Sequence, residues 1–155
     1  MKLAARLSSR LPAFTLPPVF TRVGERLPQL PPTLALTLTL NLALGRWLPR
    51  EPLQALLGKR FAIRVTDAGM SLRFSYNERG FHPSFNAEAA DLTISAKLRD
   101  FIALLTREED ADSLFFNRRL LTEGDTDLGL LVKNTLDAVE LPEFPFLSSL
   151  PGLRR

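Results

Sequence analysis

Leucine alternates with other residues from Leu34 to Leu44, and this pattern is ambiguous. Strict alternation has the period of a β-strand. The leucine and alanine content favours a helix instead, and two prolines followed by Thr33 are typical of a helix start with Thr33 as the N-cap. A helix over residues 34–48 would be apolar nearly all round, so it would have to be buried on several sides or contact something apolar. The periodicity leaves both structures open.

Regular alternation after Arg60 predicts a sheet. Apolar and polar residues alternate over 61–65 and over 70–76, and the two segments are separated by Asp67-Ala68-Gly69. This arrangement predicts a β-hairpin with one polar face. Further short strands are predicted at Gly80–Phe85, Asp91–Ser95 and Phe115–Thr122.

Helical spacing predicts two helices in the second half of the chain. Residues 97–106 place an apolar stripe on one face, formed by Leu98, Phe101, Ile102 and Leu105. A charged loop is predicted over 107–112. The last helix follows Asp125, its expected N-cap, and its apolar stripe consists of Leu128, Leu131, Val132, Thr135, Leu136 and Val139. Together the elements predict an α+β domain of about five strands.

Residues 1–14 have a basic amphipathic pattern. On a helical wheel the apolar side chains Leu3, Leu7, Leu11 and Phe14 share one face, beside a stripe of Lys2, Arg6 and Arg10. Such a helix can lie on an anionic membrane surface or dock on the protein's own core, and the residues leave both open. Basic residues interrupt the segment, so a secretory signal is not predicted.

Prolines suggest how the chain is organised. Six of the twelve prolines lie between Pro12 and Pro32, which predicts a linker or extended arm over 12–32. We expect a basic, proline-rich arm over 1–32, a folded domain over 33–141, and an apolar and basic tail over 142–155. The uncharged run from Leu27 to Gly45 is broken by proline and is not expected to span a bilayer.

The formal net charge of +3 comes from the two ends of the chain. Residues 1–32 carry five basic side chains against Glu25, and the sequence ends with Arg154 and Arg155, so residues 33–153 are net acidic. A nucleic-acid-binding domain usually carries its basic patch on the fold itself, so no nucleic-acid partner is expected. Basic ends beside apolar residues suit an anionic membrane surface at least as well.

Most catalytic and metal-binding patterns are missing. The sequence has no cysteine and a single histidine, His82, which excludes disulfides, thiolate chemistry and multi-histidine metal sites. An acidic run lacks the spacing of a calcium loop and is interpreted as a solvated loop; it consists of Glu108, Glu109, Asp110 and Asp112. An enzyme that uses His82, Glu123 and Asp125 is disfavoured, and neither a metal nor a cofactor is expected.

Two adjacent arginines lie in the predicted fifth strand and would point to opposite faces. One of Arg118 and Arg119 would therefore meet the helix layer. There it would need a carboxylate such as Glu123 or Asp137, or the head group of a bound lipid.

The apolar content is high for the predicted elements. The chain has eleven phenylalanines, and Trp47 follows the leucine-rich segment. These residues form either an ordinary core or a core with a ligand-sized tunnel between helix and sheet. Composition alone leaves the two alternatives open.

One block in the C-terminal half resembles a known family. It consists of Asp112-Ser113-Leu114-Phe115-Phe116-Asn117-Arg118-Arg119-Leu120, then Glu123-Gly124-Asp125-Thr126-Asp127-Leu128-Gly129-Leu130, then Lys133-Asn134 with Asp137, Ala138 and Glu140. The block resembles the UbiT family of bacterial accessory factors for oxygen-independent ubiquinone biosynthesis, which have a lipid-binding domain of the sterol-carrier-protein type 2. Ala90-Asp91-Leu92-Thr93-Ile94 and Asp100-Phe101 also fit that domain, and the resemblance covers about residues 34–140.

The resemblance implies a sterol-carrier-like α+β fold, in which helices cover a mainly antiparallel five-stranded sheet and an apolar tunnel lies between the layers. It favours a helix over 34–48. It also implies a non-catalytic cytoplasmic carrier, with or without peripheral contact to the inner membrane. The cargo would be a prenylated ubiquinone precursor or a phospholipid, presented to the hydroxylases UbiU and UbiV. The side chains expected to line the tunnel, chosen by periodicity, are Leu38, Leu42, Trp47, Phe74, Phe101, Leu105, Phe116 and Leu131.

A rival hypothesis assumes the same fold but no bound lipid. The domain would then be an interaction module that organises a quinone-synthesis complex at the membrane surface and holds no lipid. A homodimer is left open in both cases. Extraction of the purified protein into organic solvent, followed by mass spectrometry, distinguishes a carrier from such a module.

Overall fold

The computed structural model describes residues 15–26, 28, 30–47, 50–85 and 88–138. In these residues the helices are α1 (Pro18–Arg26), α2 (Leu30–Trp47), α3 (Arg50–Gln54), α4 (Leu98–Leu105), α5 (Ala111–Phe116) and α6 (Thr126–Ala138). The strands are β1 (Arg60–Val65), β2 (Met70–Asn77), β3 (Gly80–Pro83), β4 (Leu92–Ala96) and β5 (Leu121–Gly124). The predicted hairpin, the next two strands and the helix over 97–106 are confirmed to within two residues.

The strands form one mixed sheet in the order β3-β2-β1-β4-β5. β1 pairs with β4 in parallel, and the other neighbouring pairs are antiparallel. β1 is therefore the central strand, and β3 and β5 are the edges. This architecture confirms the expected α+β fold with a five-stranded, mainly antiparallel sheet.

The two faces of the sheet differ because side chains alternate along each strand. One face is apolar, with Phe61, Ile63, Leu72, Phe74, Leu92 and Ile94 in register across the three middle strands. The opposite face is mostly polar and carries Arg60, Arg64, Arg73, Ser75, His82 and Ser95. Leucines and a valine of α2 and α6 pack against the core on the apolar face. The prediction of one polar face is thus confirmed.

α2 is a continuous helix, so the leucine alternation does not form a strand. The prediction that Thr33 is its N-cap is wrong, because the helix begins at Leu30 and Thr33 is buried within it, 1% exposed. The physical reason is that Pro31 and Pro32 have the fixed φ of a first helical turn and need no N–H there.

The leucines of α2 lie on two faces of the helix. Leu36 and Leu40 pack against the core, whereas Leu38 and Leu42 are 61% and 72% exposed. Residues two apart are about 200° apart around a helix, so strict alternation distributes them to both sides. The leucines thus lie on both sides of the helix, and contact of the outer ones with something apolar stays a prediction.

α1 occupies residues that were predicted to be a linker or extended arm. For Pro18–Arg26 that prediction is wrong, because the helix packs against the turn between β1 and β2. A Cβ atom on Gly24 would lie 1.7 Å from the carbonyl oxygen of Ala68, and one on Gly69 would lie 2.3 Å from that of Thr21. The two backbones therefore touch at both glycines, which no larger residue allows.

Asp67, in the turn between β1 and β2, joins three elements. Its Oδ1 accepts from the backbone N–H of Leu98 at 2.9 Å, and its Oδ2 accepts from that of Leu16 at 3.3 Å. Its carbonyl oxygen accepts from the hydroxyl of Thr21 at 2.9 Å. The N-cap residue of α4, Lys97, makes no side-chain cap, so Asp67 supplies an acceptor for the start of this helix from a distant turn.

Asp91 closes one end of the seam between β1 and β4. Its Oδ2 accepts from the backbone N–H of Arg60 at 2.8 Å, and its own N–H donates to the carbonyl of Arg60 at 2.8 Å. Its carbonyl accepts from the N–H of Asp125, before α6, at 2.9 Å. The hydrogen bond from the Arg60 backbone stabilises the ionised carboxylate and lowers the pKa of Asp91.

Residues 115–122, predicted to be one strand, belong to two elements. That prediction is wrong up to residue 120, because α5 ends at Phe116 and β5 begins at Leu121. Asp110 caps α5 by accepting from the N–H of Ser113 at 2.7 Å, and Leu114 is fully buried at 0% exposure. The cap and the buried leucine stabilise the helix, and for the same reason the predicted charged loop ends at Asp110.

Candidate functional site

The middle of the sheet's apolar face is incompletely covered. Ile63 on β1 and Ile94 on β4 are direct partners in the parallel pair. Both are only partly buried, whereas Phe61 and Leu92, the previous pair along the same strands, are 5% and 1% exposed. Since these are inner strands of the sheet, the helices cover this pair of side chains less completely than the pair before it.

α2 covers one side of the sheet's apolar face. The helix contacts β3 and β2, and its Leu36 and Leu40 pack against the core. Asn41 fixes its position, because the side-chain amide donates to the carbonyl of Phe81 at 2.8 Å and accepts from the Phe81 N–H at 2.7 Å. The amide of Asn41 thus satisfies the unpaired edge of β3.

α6 covers the other side. Asp125 caps it as predicted, accepting from the N–H of Leu128 at 3.0 Å. Leu128 is buried in the core, and Leu131 and Val132 are partly buried beside it. Because α2 lies over β2 and β3 while α6 contacts β5, the seam between β1 and β4 lies between the two helices. We call the partly buried side chains around this seam the apolar gap: Leu36, Leu40, Ile63, Ile94, Leu131 and Val132.

Aromatic rings fill the core next to the apolar gap. Phe61 stacks on Phe74 with ring centroids 5.4 Å apart. Phe81 meets Phe74 edge-on at 5.9 Å and lies 4.8 Å from Tyr76. The three phenylalanines are buried, whereas Tyr76 is partly buried, so the rings of Phe61, Phe74 and Phe81 form the packed part of this core.

The six side chains that define the apolar gap are suited to contact with an apolar ligand. All of these side chains are hydrocarbon, so a ligand would be held by removal of apolar area from water. In the part of the chain that the structure describes, no three acidic or histidine side chains are placed to hold a metal ion. The side chains that could supply acid–base chemistry lie outside the gap.

The residues predicted to line a tunnel are separated in the structure. Leu131 belongs to the apolar gap, and Phe74 is buried in the packed core at 5% exposure. Phe101 is partly buried against a second cluster around Leu114. The side chain of Trp47 lies outside the described residues.

The other predicted lining residues are exposed. Leu38 and Leu42 lie on the outer side of α2, Leu105 is 37% exposed at the end of α4, and Phe116 is 79% exposed at the end of α5. Contact of any of the predicted residues with lipid stays a prediction.

The inner residues of α2 and the seam isoleucines were missed from the sequence. A signal for the inner face of α2 is present in the polar positions Thr33, Thr37 and Asn41, which are four residues apart. The two threonines are 1% and 3% exposed, and Asn41 bonds to the sheet. Since buried polar side chains in a helix need partners, their spacing marks the face that meets the protein.

The residues predicted to contact a membrane lie outside the described part of the chain; they are Lys2, Leu3, Arg6, Leu7, Arg10, Leu11 and Phe14. Among the described helices, none has the length and apolar character needed to cross a bilayer.

Arg119 is paired, although not with the expected carboxylates. It does not lie in a strand, and its partners are Asp100 and Glu109 in place of Glu123 or Asp137. Its Nε donates to Asp100 at 2.9 Å and a terminal nitrogen donates to Glu109 at 2.8 Å. Burial alone would lower the pKa of Arg119, but the hydrogen bonds to the two carboxylates outweigh it and raise the pKa.

The residues considered for acid–base catalysis do not come together. His82 lies on the edge strand β3, where its Nε2 is 2.9 Å from the hydroxyl of Ser75. Glu123 lies on β5, the opposite edge, 3.8 Å from Arg64, and Asp125 is the cap of α6.

The acidic run is divided among structural contacts. Glu109 pairs with Arg119, Asp110 caps α5, and Asp112 lies 2.5 Å from Lys133. Burial, with the neighbouring charge of Glu109, raises the pKa of Glu108.

Two helices over one face of a mixed five-stranded sheet, with an apolar gap between them, define a sterol-carrier-like α+β domain. The sequence profile of the SCP-2 sterol transfer family matches residues 40–137, and the chain belongs to that family.

Comparison with individual proteins gives closer similarities. The chain is 42% identical over 93 residues to the ubiquinone biosynthesis accessory factor UbiT of Escherichia coli K12, and it matches the same factor of Escherichia coli O157:H7 equally well. The match covers 60% of this chain and 53% of those relatives, so the chain spans about half of their length. A solved structure described as UbiJ-SCP2, a ubiquinone synthesis protein, has a TM-score of 0.57 at 24% identity and covers 68% of this chain and 92% of that one, which shows a shared fold.

Proposed function

We propose that this protein is a non-catalytic lipid carrier that serves oxygen-independent ubiquinone biosynthesis. The observation that carries the proposal is the partial exposure of Ile63 and Ile94 above the central seam of the sheet. Membership of the SCP-2 sterol transfer family and the 42% identity to UbiT support it. That this chain performs the whole role of those longer relatives is part of the proposal.

The cargo we propose is a prenylated ubiquinone precursor or a phospholipid. A hydrocarbon chain in the apolar gap would cover Ile63, Ile94 and the facing leucines, and its burial contributes about 25 cal/mol per Å² of apolar area. Loss of translational and conformational freedom offsets part of this gain. Because the gap has no charged side chain, affinity should follow the length of the tail more than the chemistry of the head group.

The proposed partners are the hydroxylases UbiU and UbiV, to which the carrier would present the quinone ring. We also propose a cytoplasmic protein that contacts the inner membrane peripherally through the basic amphipathic residues 1–14. Liposome co-sedimentation that is unchanged after deletion of residues 1–14 would contradict that contact.

The experiment fills the gap without removing apolar character. In Ile94→Phe the larger side chain occupies space above the seam, while Leu42→Phe enlarges a side chain on the outer face of α2 and serves as the matched control. Each purified full-length protein is extracted into organic solvent and analysed by mass spectrometry, and binding of a fluorescent fatty acid is titrated. Circular dichroism verifies that each variant is folded.

We expect wild type and Leu42→Phe to release a lipid or quinone and to bind the fatty acid. Ile94→Phe should lose most of both, since an overfilled core has no space for a guest. Absence of co-purified lipid from wild type together with no binding of added lipid contradicts the carrier. If folded Ile94→Phe binds lipid as well as the wild type does, the apolar gap is not the binding site.

A second function is favoured by the outer face of α2. Leu34, Leu38 and Leu42 form an exposed apolar stripe, 40%, 61% and 72% exposed, which suits an interaction module that organises a complex without holding lipid. Replacement of Leu38 and Leu42 by glutamine distinguishes the two functions. If the module is correct, the change abolishes quinone synthesis and the wild-type protein binds no lipid.

A further inference from the structure

A cleft of about 410 Å³ lies on the side of the sheet opposite the apolar gap. Thr66, Ser95 and Leu121 form its floor, and in the register of the sheet Ser95 and Leu121 face away from Ile63 and Ile94. The cleft lies where β4 leads into α4, next to the connection from α5 to β5. It is therefore separate from the proposed cargo site, and its volume lies within the range of about 300–1,000 Å³ that is usual for ligand pockets.

Basic side chains surround the cleft in excess over acidic ones. Lys97, Arg99, Arg118 and Arg119 line it together with one acid, Asp100. Arg119 is not available as a free cation, because it pairs with both Asp100 and Glu109, and the three side chains together carry one net negative charge. Within the described residues, the other three cations form no ion pair. Cations that converge without counter-charges attract an anion.

Arg99 supplies the second observation. Its Nε is buried, and no described protein group accepts a hydrogen bond from it. A buried N–H donor without an acceptor is costly, so such groups are nearly always satisfied in folded proteins. Arg99 also lines the cleft, so a rotation of its side chain would let the Nε donate to an anionic oxygen there.

The neighbouring groups fit an oxygen-rich anion. The hydroxyls of Ser95 and Thr66 line the cleft, and that of Thr66 is 3.3 Å from the carbonyl of Ala96. Arg118, which also lines the cleft, has a left-handed backbone with φ of 56°, a conformation that is unusual for a residue with a side chain. Guanidinium groups match phosphate oxygens in geometry as well as charge.

We propose that this cleft binds a phosphate group, as a phosphate monoester or a diphosphate. Three unpaired cations match a dianion better than a single carboxylate, and the guanidinium of Arg99 and the hydroxyl of Ser95 are the donors that line the cleft, since the Thr66 hydroxyl already donates to the carbonyl of Ala96. The group belongs either to a lipid head group or to a soluble phosphate compound. The cleft is separate from the apolar gap, so the phosphate site can be confirmed or refuted independently of the carrier function.

The test is a titration of the full-length protein with inorganic pyrophosphate, followed by ¹⁵N–¹H NMR. We expect saturable shifts of the backbone amides of residues 95–100 and 117–121. Arg99→Gln should weaken binding about tenfold or more, as loss of a hydrogen bond to a charged group does. Lys97→Gln, whose side chain is exposed, provides a variant that keeps the fold and should weaken binding too.

Arg79→Gln is the matched control, since Arg79 is an exposed arginine between β2 and β3, at the other edge of the sheet, and does not line the cleft. Its affinity should stay within about twofold of wild type, because an exposed charge far from the site is screened. No saturation by about 10 mM, beyond the range of a weak millimolar site, overturns the proposal. Equal weakening by Arg79→Gln and Arg99→Gln also overturns it, because binding would then reflect overall charge.

Geranyl diphosphate distinguishes the two sources of the phosphate. Tighter binding than that of pyrophosphate, with the same amides shifted, supports the site and assigns it to a lipid head group. Equal affinity for the two compounds supports the site and assigns it to a soluble phosphate compound. Shifts confined to residues of the apolar gap, with none in the cleft, overturn the proposal.

Discussion

Gly24→Ala is expected to destabilise the protein although it raises the helix propensity of α1. In an isolated helix, replacement of glycine by alanine is favourable by about 1 kcal/mol. In this fold the added Cβ would lie 1.7 Å from the carbonyl oxygen of Ala68, which is backbone and cannot rotate away. α1 must therefore move off the turn between β1 and β2.

The free energy lost in Gly24→Ala is limited by the contacts that hold α1 against the turn between β1 and β2. The hydroxyl of Thr21 and the N–H of Leu16 both donate to Asp67, the first to its carbonyl and the second to its carboxylate. A neutral hydrogen bond contributes about 1 kcal/mol and one to a charged group about 1.5–3 kcal/mol. After subtraction of the gain in helix propensity, we expect Gly24→Ala to weaken docking of α1 by about 1.5–3 kcal/mol.

Gly129→Ala in α6 is the matched control. Its Cβ would meet only a methyl group of Leu92 at 3.5 Å, an ordinary van der Waals distance. Here the helix propensity should prevail, and Tm should rise by about 2–4 °C for a gain of about 1 kcal/mol. The two glycines lie in helices, so propensity alone predicts the same sign for both.

Two assays measure the effect. Thermal unfolding compares Tm of the variants, and hydrogen–deuterium exchange of residues 16–26 reports whether α1 stays docked. We expect Gly24→Ala to lower Tm and to remove protection from α1. A Gly24→Ala protein with a raised Tm and an α1 that is still protected would refute the reasoning.

Other changes test the remaining contacts. Arg119→Met should lower the free energy of unfolding by about 3–5 kcal/mol in urea titration, because it leaves Asp100, 4% exposed, as an unpaired buried charge. The pKa of Asp91 lies below its ordinary 3.8, so the ionised carboxylate contributes to the free energy of unfolding above that pH, and this contribution is lost as the pH falls through the lowered pKa. Asp91→Asn should therefore reduce the free energy of unfolding at neutral pH and make it fall less steeply below about pH 4. Asn41→Leu should cost about 2 kcal/mol, because it removes both hydrogen bonds to the backbone of Phe81, and an unchanged unfolding midpoint would contradict this.

The local parts of the fold were predictable from sequence. The hairpin of β1 and β2 follows from side-chain alternation, since one face of each strand is buried. The cap of α6 by Asp125 follows from a short-range preference. These features depend on residues a few positions apart, so the sequence pattern contains the relevant physics.

The predictions that were wrong concern contacts between residues that are distant in the sequence. The rotation of α2, which decides that Leu36 faces the core and Leu38 does not, is fixed by the bonds of Asn41 to Phe81. The docking of α1 depends on the approach of Gly24 to a turn more than forty residues later. Helical and strand periods cannot report such pairings, so the predicted lining residues Leu38 and Leu42 were taken from the outer face of α2.

The parallel pairing of β1 with β4 has a consequence for the order of folding. β1 and β2 are joined by residues 66–69 alone, whereas the partners Phe61 and Leu92 are separated by the whole of β2 and β3. Closing a short hairpin takes microseconds, and non-local strand pairing is slower because loop entropy is lost first. We expect changes in the β1–β2 hairpin to slow refolding and changes in β4 mainly to accelerate unfolding. The seam beneath the apolar gap would then be assembled late, after the local hairpin, so a nascent chain would complete the proposed cargo site as one of its last steps.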